Sequence, residues 1–347
     1  MHMADALLSP AVGGVMWAAS AGLAFHSARK IEPEIEGKLP LMGVLGAFTF
    51  AAQMINFTIP LTGSSGHLGG GLLLAILLGP HAGFLAMAAI LVIQALFFAD
   101  GGLLALGCNV FNLGFFPCFV AYPLIYRRIV REEAGPARIT LAATAAAILG
   151  LQLGAFGVVV ETKLSGISAL PFGTFVLLMQ PIHLAIGLVE GIVTAALVSF
   201  VWKARPEILR RAAEGSGLRT ASFKPVLIGL LLAALALGGV ASWFASTHPD
   251  GLEWSILHAT GREELEAPKG IHAVLAEIQR RFAPLPDYGF KSPGPAEETA
   301  AAGEAWPKVD PGTSVAGILG AALTLALTVA LGAGVRLARR RRSAPSS

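Results

Sequence analysis

TFVLLMQPIHLAIGLVEGIVTAALVSFVW, residues 174–202, is the stretch that decides the fold. A helix crossing the roughly 30 Å hydrocarbon core of a bilayer needs about 20 apolar residues. This run exceeds that length and carries one carboxylate, Glu190. Eight further apolar segments lie near 8–28, 41–59, 67–79, 82–99, 103–126, 137–160, 223–245 and 312–337. The whole chain is 54% hydrophobic and 14% charged, where soluble domains carry about 25% charge. Its 41 glycines suit helices packed closely in lipid. The pattern predicts an all-α integral membrane protein.

The third segment is short for a span, so it is tilted, broken or partly wrapped by protein. Gly79-Pro80 separates it from the fourth by a turn that lacks a backbone donor. Positive charge sets the orientation. Arg29, Lys30 and Lys38 follow the first segment; Arg127, Arg128 and Arg131 follow the fifth. Lys203, Arg205, Arg210 and Arg211 follow the seventh, and Arg336, Arg339, Arg340, Arg341 and Arg342 close the ninth. With these clusters in the cytoplasm, nine crossings alternate, the N-terminus lies outside and the C-terminus inside. Glu32, Glu34 and Glu36 weaken the first cluster.

The chain divides into a seven-helix bundle (1–202), a polar linker (203–222, with Gly215 and Gly217) and a two-helix unit (223–347). The last unit flanks an external stretch at about 246–311, rich in Pro, Ala and Glu toward its end and expected to be partly disordered. The arginines sit at helix ends rather than in a stripe, so nothing points to nucleic acid. Cys108 and Cys118 form no CxxC pair and read as packing residues.

Met1-His2 offers three nitrogens to one ion: the α-amino group, the His2 backbone nitrogen and His2 Nδ1. The backbone nitrogen joins only by losing its proton to a polarising divalent cation. Flat nitrogen coordination points to Ni²⁺ or Cu²⁺ rather than Zn²⁺. The chelator requires a free Met1. No basic region precedes the first apolar run, which argues against a cleaved signal peptide, and the bulky His2 opposes removal of the methionine. Alone, His2 is equally a polar residue on a wet terminus. His67, in LTGSSGHLGGG (61–71), is the best-placed fourth ligand, and Ser64 or Ser65 could cap the helix that follows. Alone, that run is equally a turn.

His81 and His26 fall at the opposite face. His183 and Glu190 share a helix face inside the seventh segment and read as a packing or conformational pair, with a transported-ion ligand the alternative. His248, His258 and His272 belong to the external stretch and read as solvated. Gln53, Asn56, Gln94, Asn109, Asn112 and Gln152 are amides needing partners in lipid. Asn109 and Asn112 could support the ligands from behind, and Asp5 could bond an imidazole or balance charge. No GxxxxGK[ST], HExxH or GxSxG motif occurs, so the chain carries no evident ATP motor or hydrolase site. A metal sensor or metallochaperone, and a membrane metalloenzyme, remain as rival classes.

Three landmarks together resemble the substrate-specific membrane component of nickel/cobalt energy-coupling factor transporters. They are MHMADALLSP (1–10), SGHL (65–68) with Gly79-Pro80, and QALFFADGGLLALGCNVFN (94–112). The resemblance covers about the first 200 residues. It implies a metal held by Met1, His2 and His67, with Ni²⁺ as substrate and Co²⁺ as the alternative. Asp5-Ala6 departs from the family's usual acidic residue plus glycine. PDGLEW (249–254) with PDYGF (286–290) resembles the two-helix accessory component of nickel uptake systems. The implied partners are a separate transmembrane coupling protein and cytoplasmic ABC-type ATPases, in the cytoplasmic (inner) membrane.

Overall fold

The computed structural model describes residues 2–31, 35–130, 135–214, 224–262, 265–291 and 306–343. Met1, Glu32, Glu34, Arg131, Gly215 and Gly217, all named above, lie outside the described residues. A short turn at Asp5–Leu7 leads into α1 (Pro10–Ile31) and α2 (Ile35–Gln53). A hairpin follows, β1 (Phe57–Ile59) and β2 (Ser64–Gly66), then α3 (Gly71–Leu78) and α4 (Pro80–Phe97). The bundle continues with α5 (Leu106–Ile129), α6 (Pro136–Ser165) and α7 (Phe172–Ala204). After it come α8 (Pro206–Glu214), α9 (Lys224–Gly239), α10 (Gly251–Thr260), α11 (Ile271–Phe282) and α12 (Pro311–Ser343).

Among the described residues, five helices are long and apolar enough to cross a membrane: α4, α5, α6, α7 and α12. The protein is an all-α, multi-pass membrane bundle, and the structure adds three local features to it. A short two-stranded antiparallel hairpin sits among the helices, with Phe57 paired to Gly66 and Ile59 to Ser64. The linker contains α8, an amphipathic helix whose Ile208 and Ala212 are buried at the Gly79 turn. The external stretch contains α10 and α11, both packed on the bundle.

The short third segment is α3, eight residues and about 12 Å long, too short to span. All eight are buried, so neighbouring protein rather than lipid surrounds it. Gly70, at φ 76°, starts this helix, and Gly79, at φ 84°, ends it before Pro80 opens α4. Both turns demand a left-handed backbone that glycine adopts without penalty.

Small residues set the helix spacing. Gly187 and Gly191 on α7 face Ile148 and Thr144 on α6, and a Cβ on Gly191 would stand 2.3 Å from the Thr144 Cα. This is the small-xxx-small packing that lets membrane helices touch backbone to backbone. α12 lies antiparallel to α2, with Gly320 against the Phe50 ring and Gly46 against Thr324. Gly238 of α9 and Gly317 of α12 meet so closely that a Gly317 Cβ would lie 2.3 Å from the Gly238 carbonyl oxygen. The C-terminal helices are therefore seated on the bundle. Gly317→Ala is expected to force α9 from α12 at a cost of about 1–3 kcal/mol. A lowered thermal midpoint in detergent would register this; an unchanged midpoint would mean the crossing relaxes freely.

Candidate metal centre

The first residues run through the protein rather than over it. Met3 is fully buried, and Asn109 holds both of its backbone groups: Met3 N–H donates to Asn109 Oδ1 at 2.8 Å, and Asn109 Nδ2 donates to the Met3 carbonyl at 3.3 Å. Gly102 N–H donates to the same carbonyl at 2.9 Å. Asp5 accepts from Ala105 N–H at 3.0 Å, and a Cβ on Gly102 would collide with the Asp5 carboxylate. Burial raises the Asp5 carboxyl above its usual range, opposed by the Ala105 N–H. Asp5 is thus tied to the 102–105 backbone, and its expected bond to an imidazole is not made.

This path brings His2 to His67. The two imidazoles lie 5.0 Å apart, centre to centre, within 5° of parallel. His2 Nδ1 stands 2.9 Å from Asp100 Oδ1, while His2 Nε2 is buried without a hydrogen-bond partner. The nitrogen that a terminal chelator uses is therefore held by a carboxylate in this state. Burial works to raise the Asp100 carboxyl. The adjacent His2 imidazole and the Tyr288 hydroxyl, which donates to Asp100 Oδ2, outweigh it and hold Asp100 below the usual carboxylate range.

His67 is 9% exposed, and burial lowers its imidazole to about 3, so it is neutral at physiological pH. Its Nδ1 faces the Leu68 carbonyl at 3.1 Å. That contact selects the Nδ1-protonated tautomer and makes Nε2 the basic nitrogen.

Glu190 on α7 fixes the loop behind His67. Its carboxylate accepts Gly69 N–H at 2.7 Å and Gly70 N–H at 3.2 Å. Gln94 Nε2 donates to Gln53 Oε1, and Gln53 Nε2 donates to the Gly69 carbonyl at 2.8 Å. His183 bonds Met179 O on its own helix, so the expected His183–Glu190 pair is two separate anchors. Ser64 and Ser65 form β2 and cap nothing; α3 begins at Gly71 after Gly70. Ser65 instead pairs with the PDGLE segment, through its N–H to the Pro249 carbonyl and its hydroxyl to the His248 carbonyl, each at 2.8 Å. Asn112 donates to Glu161 Oε2 at 2.8 Å, between α5 and α6.

Residues 246–262 and 265–291 close over this end of the bundle. Asp250 caps α10 in a capping box with Glu253, and Trp254 Nε1 donates to the Thr62 carbonyl. Gln279 donates to the Gly101 carbonyl at 2.7 Å. His272, expected to be solvated, is buried with Nε2 2.8 Å from the Leu8 carbonyl. The missed residues are Asp100, Glu190 in its loop-holding role, and Tyr288. Each lies within a motif or pair already singled out, yet its partner lies far away in sequence.

Residues 2–208 match the CbiM family, described as the cobalt uptake substrate-specific transmembrane region, and residues 224–337 match the PDGLE domain. A protein of Archaeoglobus fulgidus, provisionally named fused nickel transport protein NikMN, is 34% identical over 336 residues, covering 95% of this chain and 98% of its own. The fused nickel transport protein NikMN of Rhodobacter capsulatus is 32% identical, covering 83% of this chain and 88% of its own. The crystal structure of a truncated transition metal transporter superposes with a TM-score of 0.52 at 30% identity, covering 59% of this chain and 99% of that one.

Asn109→Ala removes both Met3 contacts and is expected to free the N-terminal segment, at about 1–3 kcal/mol, and to weaken metal binding with it. Asn112→Ala, whose partner is Glu161, is expected to lower thermal stability without that loss of affinity. Equal affinities for the two variants, read by calorimetric titration, would contradict the assignment of Asn109 as the clamp.

Proposed function

The chain belongs to the cobalt uptake substrate-specific transmembrane family through residues 2–208, and on that footing we propose that it captures Ni²⁺ at Met1, His2 and His67. It is a transmembrane component for nickel or cobalt capture within an energy-coupling-factor transport system. The observation that carries the ligand assignment is the parallel approach of the His2 and His67 imidazoles at the end of a backbone pinned by Asn109.

The ligand set is the terminal amine, the deprotonated His2 backbone nitrogen, His2 Nδ1 and His67 Nε2. Binding exchanges the His2 Nδ1–Asp100 contact for the ion. A divalent cation with one deprotonated backbone nitrogen carries one net positive charge. Asp100 beside His2 and Asp250 beside His67 supply the negative charge that offsets it, as buried charge requires. His67, neutral before binding, adds no proton to displace, so the proton release on binding comes from Met1 and His2.

The wider arrangement follows the same reading. Seven helices over 1–202 form the binding unit. The PDGLE-type accessory unit, over 223–347, has α9 and α12 as its two membrane helices with α10 and α11 between them, and holds Asp100 through Tyr288 and Ser65 through Pro249. The N-terminus faces outside and the C-terminus the cytoplasm of the inner membrane. A transmembrane coupling protein and ABC-type ATPases supply the force for release. The chain itself is not an enzyme. The family description favours cobalt as a second reading; the NikMN relatives and the planar nitrogen set favour nickel.

Titration of the full chain with Ni²⁺ is expected to give one tight site. His2→Ala, His67→Ala and addition of one residue before Met1 should each remove it, with the fold intact by circular dichroism. Undiminished affinity after the N-terminal extension would defeat the chelator. Tighter Co²⁺ binding with cobalt-only uptake would reverse the metal assignment. Metal binding without ATP-dependent uptake in the complete complex would favour a sensor or metallochaperone.

A further inference from the structure

One side of α11 leaves large apolar side chains exposed. Ile271, Val274, Ile278 and Phe282 are 49%, 57%, 39% and 68% exposed. Steps of three and four residues put them on a single stripe of the helix. His272 and Gln279, seven apart, share the face beside this stripe and turn into the protein. His272 Nε2 lies 2.8 Å from the Leu8 carbonyl, and Gln279 Nε2 donates to the Ala95 and Gly101 carbonyls at 2.9 and 2.7 Å. The remaining side carries exposed Ala273, Glu277 and Arg280. α11 thus has a protein face, an apolar face and a charged face.

The position of the stripe says what covers it. Ala95 is in the last turn of α4, one of the helices long and apolar enough to cross a membrane. Just beyond α11, Leu285 N–H donates to the Phe97 carbonyl at 3.2 Å and Asp287 N–H to the Phe98 carbonyl at 2.9 Å. His272 sits at Leu8, two residues before α1 begins. α11 therefore lies across the ends of two bundle helices, at the level where a membrane helix leaves the hydrocarbon. An apolar stripe at that depth meets acyl chains, and burying it there is favourable. Exposed basic residues flank it: Lys269 before the helix, Arg281 beside Phe282, and Lys291 after it. Long basic side chains lay their stems on apolar surface and keep their charge among headgroups. Depth and charge together fit an anionic lipid surface.

We propose that α11 is an interfacial helix whose Ile271, Val274, Ile278 and Phe282 lie in the headgroup–acyl boundary of the bilayer, with anionic headgroups against Lys269, Arg281 and Lys291. This gives the accessory unit a hold on the membrane between α9 and α12. The same helix bonds the Gly101 carbonyl, next to Asp100, so the lipid surface supports the segment that carries that carboxylate.

The test places a nitroxide on the full chain at Ile278→Cys, or at Ala273→Cys on the charged side, in vesicles of phosphatidylcholine with phosphatidylglycerol. The unsubstituted chain, whose Cys108 and Cys118 are buried, gives the labelling background. Spin relaxation reads collisions with oxygen, which concentrates in lipid, and with chromium oxalate, which stays in water. The label at 278 is expected to favour oxygen severalfold over chromium oxalate, and the label at 273 the reverse. Phe282→Cys lies on the same stripe and serves if the first variant does not fold. Combined Lys269→Gln, Arg281→Gln and Lys291→Gln should move the 278 label toward water in the mixed vesicles and leave it in place in pure phosphatidylcholine. Chromium oxalate reaching 278 and 273 alike would overturn the proposal. Exclusion of both reagents from 278 would overturn it too, and would assign the stripe to a protein partner. An equal response to the glutamine substitutions in the two lipids would overturn the headgroup contact.

Discussion

The clamp of Asn109 on the Met3 backbone is the constraint from which the site follows. A chain start threaded into a bundle brings N–H and C=O groups out of water, and each must find a partner. Asn109 answers both groups of Met3 with one side chain, and Gly102 adds a third contact. The glycines at 101 and 102 are required by the same geometry. Gly101, at φ 80°, sits beside Asn109 and His2, and Gly102 leaves the volume that Asp5 fills. With Met3 fixed, the reach of His2 is short, and His67 and Asp100 stand within it.

The second consequence concerns rigidity. Loop residues 67–70 carry a proposed ligand, yet no helix or strand of the described residues contains them. Their backbone is held from two sides instead, by Glu190 of α7 and by the Gln94–Gln53 chain from α4 and α2. An ionisable residue inside a membrane segment is costly unless its charge or proton is used, and here the use is to accept two N–H groups. A movement of α7 against α6 would therefore reach His67 through Glu190 directly.

The membrane class was legible because it rests on a local signal, the length of apolar runs, and the proposed Met1, His2 and His67 ligands were named from chain position and residue chemistry. The third segment, read as 67–79, was expected to be irregular because it is short for a span, and the helix within it has eight residues. The hairpin was not legible. Phe57–Ile59 and Ser64–Gly66 are three residues each, without an alternating pattern long enough to read, and Ser65 is held by Pro249 from far along the chain. The stretch at about 246–311 read as an external, partly disordered loop because α10 and α11 within it are short. Their order comes from tertiary contacts such as His272 to Leu8 and Gln279 to Gly101. The partner of Asp100 was hidden for the same reason, since Tyr288 lies 188 residues away.

That separation has a physical meaning for the fused arrangement. Tyr288 bonds the carboxylate that holds His2, and Ser65, two residues before His67, pairs with Pro249 next to Asp250. The C-terminal unit therefore grips the site at both of its imidazole-bearing segments. If the unit were separate, each contact would carry the entropic cost of association, whereas a covalent linker raises its effective concentration. In the proposed site, parting His2 from His67 would pull on the segments that Tyr288 and Pro249 hold. The accessory unit is thus placed to stabilise the loaded geometry and to oppose its loss until the bundle is driven to move.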